Sequence, residues 1–322
     1  MKILITGGAG YIGTVMAALL LEKGYEVIVL DNLSQGHKEA VPSGVSRFIH
    51  GDIADIASHI SPEEGIDAVI HLAAFIAAGE SMVKPEMYWQ NNTVGTLKML
   101  DGLRSLNVKK LVFASTAAVY GNPVELPITE KAPTTPTNTY GMTKLAMDMA
   151  ITSECIAHGM AATSLRFFNV AGAYKGCGEL HPVETHIIPI ALSVVAGDRN
   201  KFTVYGDDYP TKDGTCVRDY IHVVDLARAA EMALGKLEFG KHNVYNLGNG
   251  GGFSNREVIA AVEKVTGKTL AVEIGPRRDG DPATLIASSQ KAKEELGWVP
   301  SRPMLEDMIG DAWEFMLARK SQ

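Results

Sequence analysis

Cysteine is scarce. The 322-residue chain carries three, Cys155, Cys177 and Cys216, with no C-x-x-C pair and no metal-like spacing. So sparse and odd a set argues against a disulfide framework and is expected of reduced thiols in the cytoplasm. Also lacking is an apolar run approaching the roughly 20 residues of a membrane-spanning helix. The opening MKILITGGAGYIG has an apolar stretch too short for a secretory signal, and it runs straight into a glycine turn. A cytoplasmic protein without a membrane partner is therefore predicted. Positive charge is in deficit: 30 Lys and Arg against 37 Asp and Glu give −7, which argues against a nucleic-acid partner. The nine histidines include no H-E-x-x-H pair. No carboxylate–histidine cluster at metal spacing is read either, so no catalytic metal is expected. Internal repeats, low-complexity tracts and long charge runs are missing as well.

What remains is ordinary for a globular protein, with 46% apolar and 21% charged residues and length enough for one large or two modest domains. Strands are predicted at KILIT (2–6), EVIVLD (26–31), RFIHGD (47–52), DAVIHLA (67–73), KLVFAS (110–115) and ATSLRFF (162–168). Helical patterns such as GTVMAALLLEKG lie between them, the last closed by Gly24 where a helix C-cap is expected. Strands apolar on both faces and separated by helices indicate an α/β fold: a doubly wound parallel sheet of Rossmann type. Beyond about residue 170, glycine, proline and polar residues become frequent and the patterns irregular. Residues 1–168 are read as a cofactor-binding domain and 169–322 as a second, smaller mixed α/β substrate domain. The segment 243–250 is expected to be a late strand returning to the first sheet.

ILITGGAGYIG places Gly7, Gly8, Gly10 and Gly13 between the first strand and the first helix. Glycines let the backbone approach a pyrophosphate, and the helix N-terminus supplies free N–H groups and the positive end of a dipole. Asp31 ends the second strand 18 residues after Gly13, where an acid accepts hydrogen bonds from ribose hydroxyls. The neighbouring DNLSQG holds no arginine for a 2′-phosphate, which favours NAD over NADP. Asp52, after the third strand, is placed to meet the adenine.

A second constellation lies in TYGMTKLAMDMA, where Tyr140 and Lys144 stand four residues apart and share one helix face. A phenol near its reference pKa of about 10 is a poor base at neutral pH. A nearby ammonium and an oxidised nicotinamide are both expected to lower it. Upstream, ASTAAVYG sets Ser115 and Thr116 where the fifth predicted strand leaves its sheet.

TGGAGYIG, LDNLS, GDI, AAGES, NNTVGT, STAAVYG, YGMTK, LRFFNVAGA, YGDDYPTKDGTCVRDYIHVVDLA and RRDGDPA together resemble the extended short-chain dehydrogenase/reductases, and within them the UDP-glucose 4-epimerase family. The resemblance covers essentially the whole chain, and Val217 to His222 is its most discriminating block. It implies NAD-dependent inversion at C4 of a UDP-hexose, UDP-galactose to UDP-glucose, through a transient 4-keto sugar. It assigns Tyr140 as the base at the 4-hydroxyl, Thr116 to the proton path and Lys144 to the nicotinamide ribose. Ser115 is the lesser candidate beside Thr116. The related sugar-nucleotide dehydratases carry an Asp-Glu pair at the positions of Ala117 and Ala118, so methyl groups here leave the keto sugar no route to elimination.

The same resemblance implies cofactor contacts from Gly7, Gly10, Tyr11, Ile12, Gly13, Asp31, Asn32, Asp52, Ile53, Leu72, Ala73, Ala74, Asn91, Ser115 and Phe168. For the UDP-sugar it implies Arg218 and Arg278 on the diphosphate and Asp281 on the uridine ribose. Asn169, His186, Ile187 and Tyr220 are implied around the diphosphate and sugar, and Thr203, Val204 and Tyr205 along the uracil edge. Leu285 stands where strict hexose epimerases carry a tyrosine, which admits an N-acetyl group as an alternative. Ile76 departs from a lysine common in relatives. Other UDP-sugars, such as UDP-N-acetylglucosamine or UDP-glucuronate, and a non-catalytic NAD-binding regulator are the competing readings. A homodimer through segments 90–106 and 140–157 is expected from the family.

Overall fold

The computed structural model describes residues 1–181, 183–278 and 281–321. Its strands begin with β1 (Lys2–Thr6), β2 (Glu26–Asp31), β3 (Arg47–His50), β4 (Ala68–His71), β5 (Lys110–Thr116) and β6 (Ala161–Phe167). Next come β7 (Asn169–Ala171), β8 (Phe202–Tyr205), β9 (Val217–Arg218), β10 (Tyr220–His222) and β11 (His242–Leu247). β12 (Phe253–Ser254), β13 (Val272–Gly275) and β14 (Thr284–Leu285) follow. The helices are α1 (Tyr11–Glu22), α2 (Ile56–His59), α3 (Ala78–Val83), α4 (Pro85–Tyr88) and α5 (Thr96–Ser105) in the first half. α6 (Thr139–His158), α7 (Ile187–Val195), α8 (Val223–Leu234), α9 (Asn255–Thr266) and α10 (Leu305–Lys320) complete the set.

Seven strands form one parallel sheet in the order β11-β6-β5-β4-β1-β2-β3. Winding reverses between β1 and β4, and in such sheets ligands bind outside the carboxyl ends of the strands at that reversal. Alternation along each strand supplies both faces. Ile3, Ile5, Val27 and Val29 pack on one side with α1 and α8. Leu4, Ile28, Leu30 and Phe113 pack on the other with residues of α5 and α6. Each such side chain contributes about 1.5–3 kcal/mol when fully buried. β3 ends earlier than its sequence suggests, because Asp52 turns to accept a hydrogen bond from the Ala54 N–H and caps a short 3₁₀ turn.

A separate apolar cluster joins Ile188, Leu192, Val204, Tyr220, Val258, Val262, Met308 and Ile309, drawn from α7, α9, α10 and the short strands. β13 runs parallel to β8, while β9 lies between β12 and β14. No helix among the described residues is long and apolar enough to cross a membrane.

His71, at the end of β4, ties the sheet to its helical layer. Its Nδ1 meets Thr6 Oγ1 at 2.7 Å and its Nε2 meets Thr96 Oγ1 at 2.9 Å. The ring stacks on Phe113 with centroids 5.6 Å apart. Burial, helped by the charge of Lys144, pulls its pKa down from 6.5 to about 3. The unfolded chain therefore binds a proton below pH 6.5 that the folded chain refuses. Stability is unaffected above that value and falls by about 1.4 kcal/mol per pH unit as pH drops towards 3. Denaturant titrations at pH 7, 6 and 5 are expected to show a shallower loss for His71→Gln than for the wild type; equal slopes would contradict this role.

Candidate active site

The glycine turn is shaped by contact. Gly7 has φ +73°, donates its N–H to Leu30 O at 2.9 Å, and a Cβ there would stand 2.5 Å from Ala73 N. A Cβ on Gly13 would fall 2.6 Å from Gly8 Cα, so only glycine lets α1 begin this close to β1. Gly10 precedes α1 with no side chain to cap it, leaving its first-turn N–H groups directed at the crevice. These features fit a dinucleotide pyrophosphate, and residues Leu72 to Ala74 form the opposite wall, in contact with Gly7.

Asp31 is buried and already brackets the turn, with Oδ2 accepting from Ala9 N at 2.9 Å and Oδ1 from Leu33 N at 2.8 Å. A carboxylate has about four acceptor sites, so both ribose hydroxyls still find room. Asn32 Nδ2 donates to Asp52 Oδ2 at 2.9 Å, and Ile53 packs beneath Gly95. Tyr11 donates its hydroxyl to Gly172 O at 2.5 Å, and Ile12 joins the core beneath α1. Asn91 only donates to Asn92 Oδ1. Asn92, which the sequence reading passed over within NNTVGT, makes the longer reach. Its amide joins Phe75 N and O at 2.9 Å each and Thr143 Oγ1 at 3.2 Å, fastening the loop after β4 to α6.

α6 carries Tyr140 and Lys144. Asn138 caps it by accepting from Gly141 N at 2.8 Å, and the buried Ser81 accepts from Tyr140 N at 3.0 Å. Ser81 was another residue without a sequence-level role, although it lies within the quoted AAGES. Tyr140 keeps part of its surface in solvent, yet its phenol is desolvated and pushed up to about 12, against a hydrogen bond with Thr116 that lowers it. Thr116 Oγ1 accepts from Ala118 N at 3.2 Å, which fastens the turn that follows β5.

One helical turn on, Lys144 is buried, donates to Ala114 O at 2.8 Å and lies 4.9 Å over the Phe113 ring. Burial draws its pKa down to about 8, opposed by Asp148. The sequence predicts a phenol acidified by this lysine and an oxidised nicotinamide together; of the protein's own groups, burial raises the phenol and Thr116 lowers it.

The Ser115 side chain donates to Asp148 Oδ2 at 3.1 Å. That carboxylate also accepts from Arg166 Nε at 3.1 Å and Nη2 at 2.8 Å. Arg166 Nη1 reaches Tyr120 Oη at 3.0 Å, and Tyr120 donates to Asn246 Oδ1 at 2.7 Å. A buried polar chain thus runs behind α6 from β5 to β11.

On the substrate side, Arg218 pairs with Asp281, so the residues assigned to diphosphate and ribose meet each other. The Arg278 guanidinium stacks 4.0 Å from the centre of the Tyr205 ring. Thr203 donates to Glu273 Oε1 at 2.7 Å, and Val204 is buried on the other face of β8. Asn169 Nδ2 donates to Asp219 O at 3.2 Å, while Phe168 N donates to Leu247 O at 3.3 Å. Leu285, in register with Arg218, packs with Val119, Tyr120, Ile128 and Phe168 just past the alanine pair. Tyr220 stands apart: 2% exposed, its ring belongs to the second core against Phe253. Its side chain is therefore a packing element, because alternation on β10 turns it inward. Ile76 is 42% exposed. Asp279 and Gly280, within RRDGDPA, lie outside the described residues.

His186 precedes α7, with Ile187 as the first helical residue. Its Nδ1 lies 2.7 Å from Glu179 Oε1 and 2.9 Å from Glu184 Oε1, so it is committed to carboxylates and not poised alone for a sugar. Burial opposes its charge, but the two carboxylates hold its pKa up to about 10. With His181 these residues form the cluster that the sequence reading took to be lacking. The spacing E-x-H-x-x-E-x-H was visible; the turn that folds it together was not.

A doubly wound sheet with a glycine turn at its winding reversal, a ribose-facing carboxylate and a Tyr-x-x-x-Lys helix defines a nicotinamide-dependent site of the short-chain dehydrogenase/reductase class. Residues 3–248 match the NAD dependent epimerase/dehydratase family, and the chain belongs to it. It is 54% identical to a UDP-glucose 4-epimerase of Corynebacterium glutamicum over 318 residues, covering 99% of this chain and 96% of that one. Among solved structures it resembles a UDP-glucose-4-epimerase from Stenotrophomonas maltophila with bound NAD and formylated UDP-arabinopyranose. There the TM-score is 0.94 and the identity 37%, covering 100% of this chain and 99% of that chain. A UDP-glucose 4-epimerase from Bifidobacterium longum in complex with NAD+ and UDP gives a TM-score of 0.91 at 38% identity, covering 99% of each chain.

Asp148→Asn leaves the buried Arg166 guanidinium without its countercharge and removes the carboxylate behind Lys144. Stability is expected to fall by about 3 kcal/mol in chemical denaturation. A loss below about 0.5 kcal/mol would show that the network does not hold α6.

Proposed function

We propose that this protein is an NAD-dependent isomerase that inverts C4 of a UDP-hexose, interconverting UDP-galactose and UDP-glucose. The observation that carries this reading is the placing of Thr116 near Tyr140, beside Ala117 and Ala118, which have no acid or base to offer. Tyr140 takes the proton of the sugar 4-hydroxyl, and Thr116 holds the phenol oxygen in place as that proton moves. Lys144 fixes the nicotinamide ribose through its ammonium. NAD held by these residues would supply a hydride acceptor at C4 and a donor back to the opposite face of the ketone, leaving no net redox change. With methyl groups where elimination needs carboxyls, the keto sugar is only reduced again.

Residues 1–168, joined by the strand within 243–250, are inferred to form the cofactor domain, and the rest of 169–322 the UDP-sugar domain. Arg218 and Arg278 suit the diphosphate because a guanidinium engages two oxygens at once. On binding, the Arg218–Asp281 pair opens to leave one partner for the diphosphate and the other for the ribose. A homodimer is supported by apolar residues on α6 that stay in solvent, Met149 at 65% and Ile156 at 78% exposed. Three free, buried cysteines support a reducing, cytoplasmic setting.

A coupled assay with UDP-galactose and no added NAD tests the reading. Turnover by protein-bound cofactor is expected, whereas steady NADH accumulation would indicate a dehydrogenase. Tyr140→Phe is expected to lower turnover about 10²–10⁴-fold while NAD still binds; near-normal rates would refute the assigned base.

A further inference from the structure

Between β7 and α7 the chain makes a long connection, and four of its side chains converge. Glu179, His181, Glu184 and His186 each offer a ligand atom, and all four atoms lie within 4.8 Å of one another. Glu179 Oε1 is 2.9 Å from His181 Nδ1 and 2.7 Å from His186 Nδ1. Glu184 Oε1 is 2.9 Å from His186 Nδ1, and its Oε2 is 3.9 Å from His181 Nδ1. The two imidazole centroids are 5.2 Å apart.

Two nitrogens and two oxygens in this arrangement are the donor set of a transition metal. A tetrahedral site with bonds of about 2.0–2.1 Å separates its ligand atoms by about 3.3 Å, and the observed separations fall on both sides of that value. Acidic cages for calcium or magnesium use oxygen alone; two imidazoles favour zinc. We propose that Glu179, His181, Glu184 and His186 bind one structural zinc ion, four-coordinate and closed to substrate. Binding exchanges the imidazole protons for the metal, and the two carboxylates neutralise its charge.

The placement gives the ion a purpose. The carbonyl of Leu180, between two of the ligands, accepts from His37 Nε2 at 2.8 Å. Gly172, at the start of the connection, accepts from Tyr11 Oη at 2.5 Å in the first turn of α1. Glu179 and Glu184 are close enough for their charge to raise the Tyr11 pKa further, after burial. The cluster therefore fastens the connection that leads into α7 against the helix whose N-terminus faces the pyrophosphate.

The test uses NAD-loaded protein stripped with EDTA and titrated with zinc against a chromophoric chelator. One zinc per chain is expected, with submicromolar affinity and a rise in Tm. His181→Ala is expected to weaken binding by at least about 100-fold, beyond the 10–100-fold typical of losing a supporting contact. Glu184→Gln, which keeps the side chain's size, is expected to do the same if the first variant fails to fold. His158→Ala, at the far end of α6, is expected to bind as the wild type does. Wild-type protein that takes up less than about 0.2 zinc per chain would overturn the proposal, leaving an ion-pair cluster only. So would equal affinity in the wild type and Glu184→Gln.

Discussion

Two ionisable groups on one helix, withdrawn from water in opposite senses, set the terms for everything else in this molecule. Burial raises the phenol of Tyr140 to about 12 and lowers the amine of Lys144 to about 8. Bringing that phenol to neutral pH takes about 7 kcal/mol of differential stabilisation. A single cation at about 4 Å supplies about 4 kcal/mol at an effective dielectric of 20. Lys144 alone is therefore insufficient, the more so because its ammonium is held by Ala114 and Phe113. The second charge is that of the oxidised nicotinamide. Under the proposed mechanism the base would be armed only with the hydride acceptor in place and oxidised, which would link proton removal to hydride removal.

Such a device depends on α6 keeping its place to within a fraction of an ångström. Its first turn is held by Asn138 and Ser81, its middle by Asn92 through Thr143, and its back by Asp148 with Arg166. These contacts come from the loop before α6, from α3, from the turn of helix at 89–95 and from β6, so the site is an outcome of the sheet and its helical layer together. Burying a charged pair is costly unless every partner is satisfied. Here Arg166 has Asp148 and Tyr120, and Tyr120 in turn has Asn246, while Asp148 Oδ1 is buried with no hydrogen-bond partner, so part of that cost is kept.

Short runs apolar on both faces and the glycine turn made the seven-stranded sheet legible from sequence, because both reflect local geometry: Ile3 and Leu4 must face opposite layers, and Gly7 must accept positive φ. Tyr140 and Lys144 were legible for the same reason, since four residues make about one helical turn. What escaped notice was set by tertiary contact. Ser81 and Asn92 carry no signature of their own and acquire a role only when α6 is laid against them. Tyr220 and Arg218 sit in the most distinctive block of the chain, yet they belong to different short strands, and the Tyr220 ring enters the core while Arg218 meets Asp281. The carboxylate–histidine cluster spans a connection with no regular secondary structure, where no period reveals which side chains converge.

The most direct measurement is the ionisation of Tyr140 itself, read as the tyrosinate absorbance of the wild type minus that of Tyr140→Phe across a pH titration. With oxidised NAD bound, the difference is expected to appear near neutral pH, and after reduction of the bound cofactor it is expected to shift several pH units upward. A phenol that titrates at the same high pH in both forms would contradict the account, because the nicotinamide charge would then play no part in arming the base.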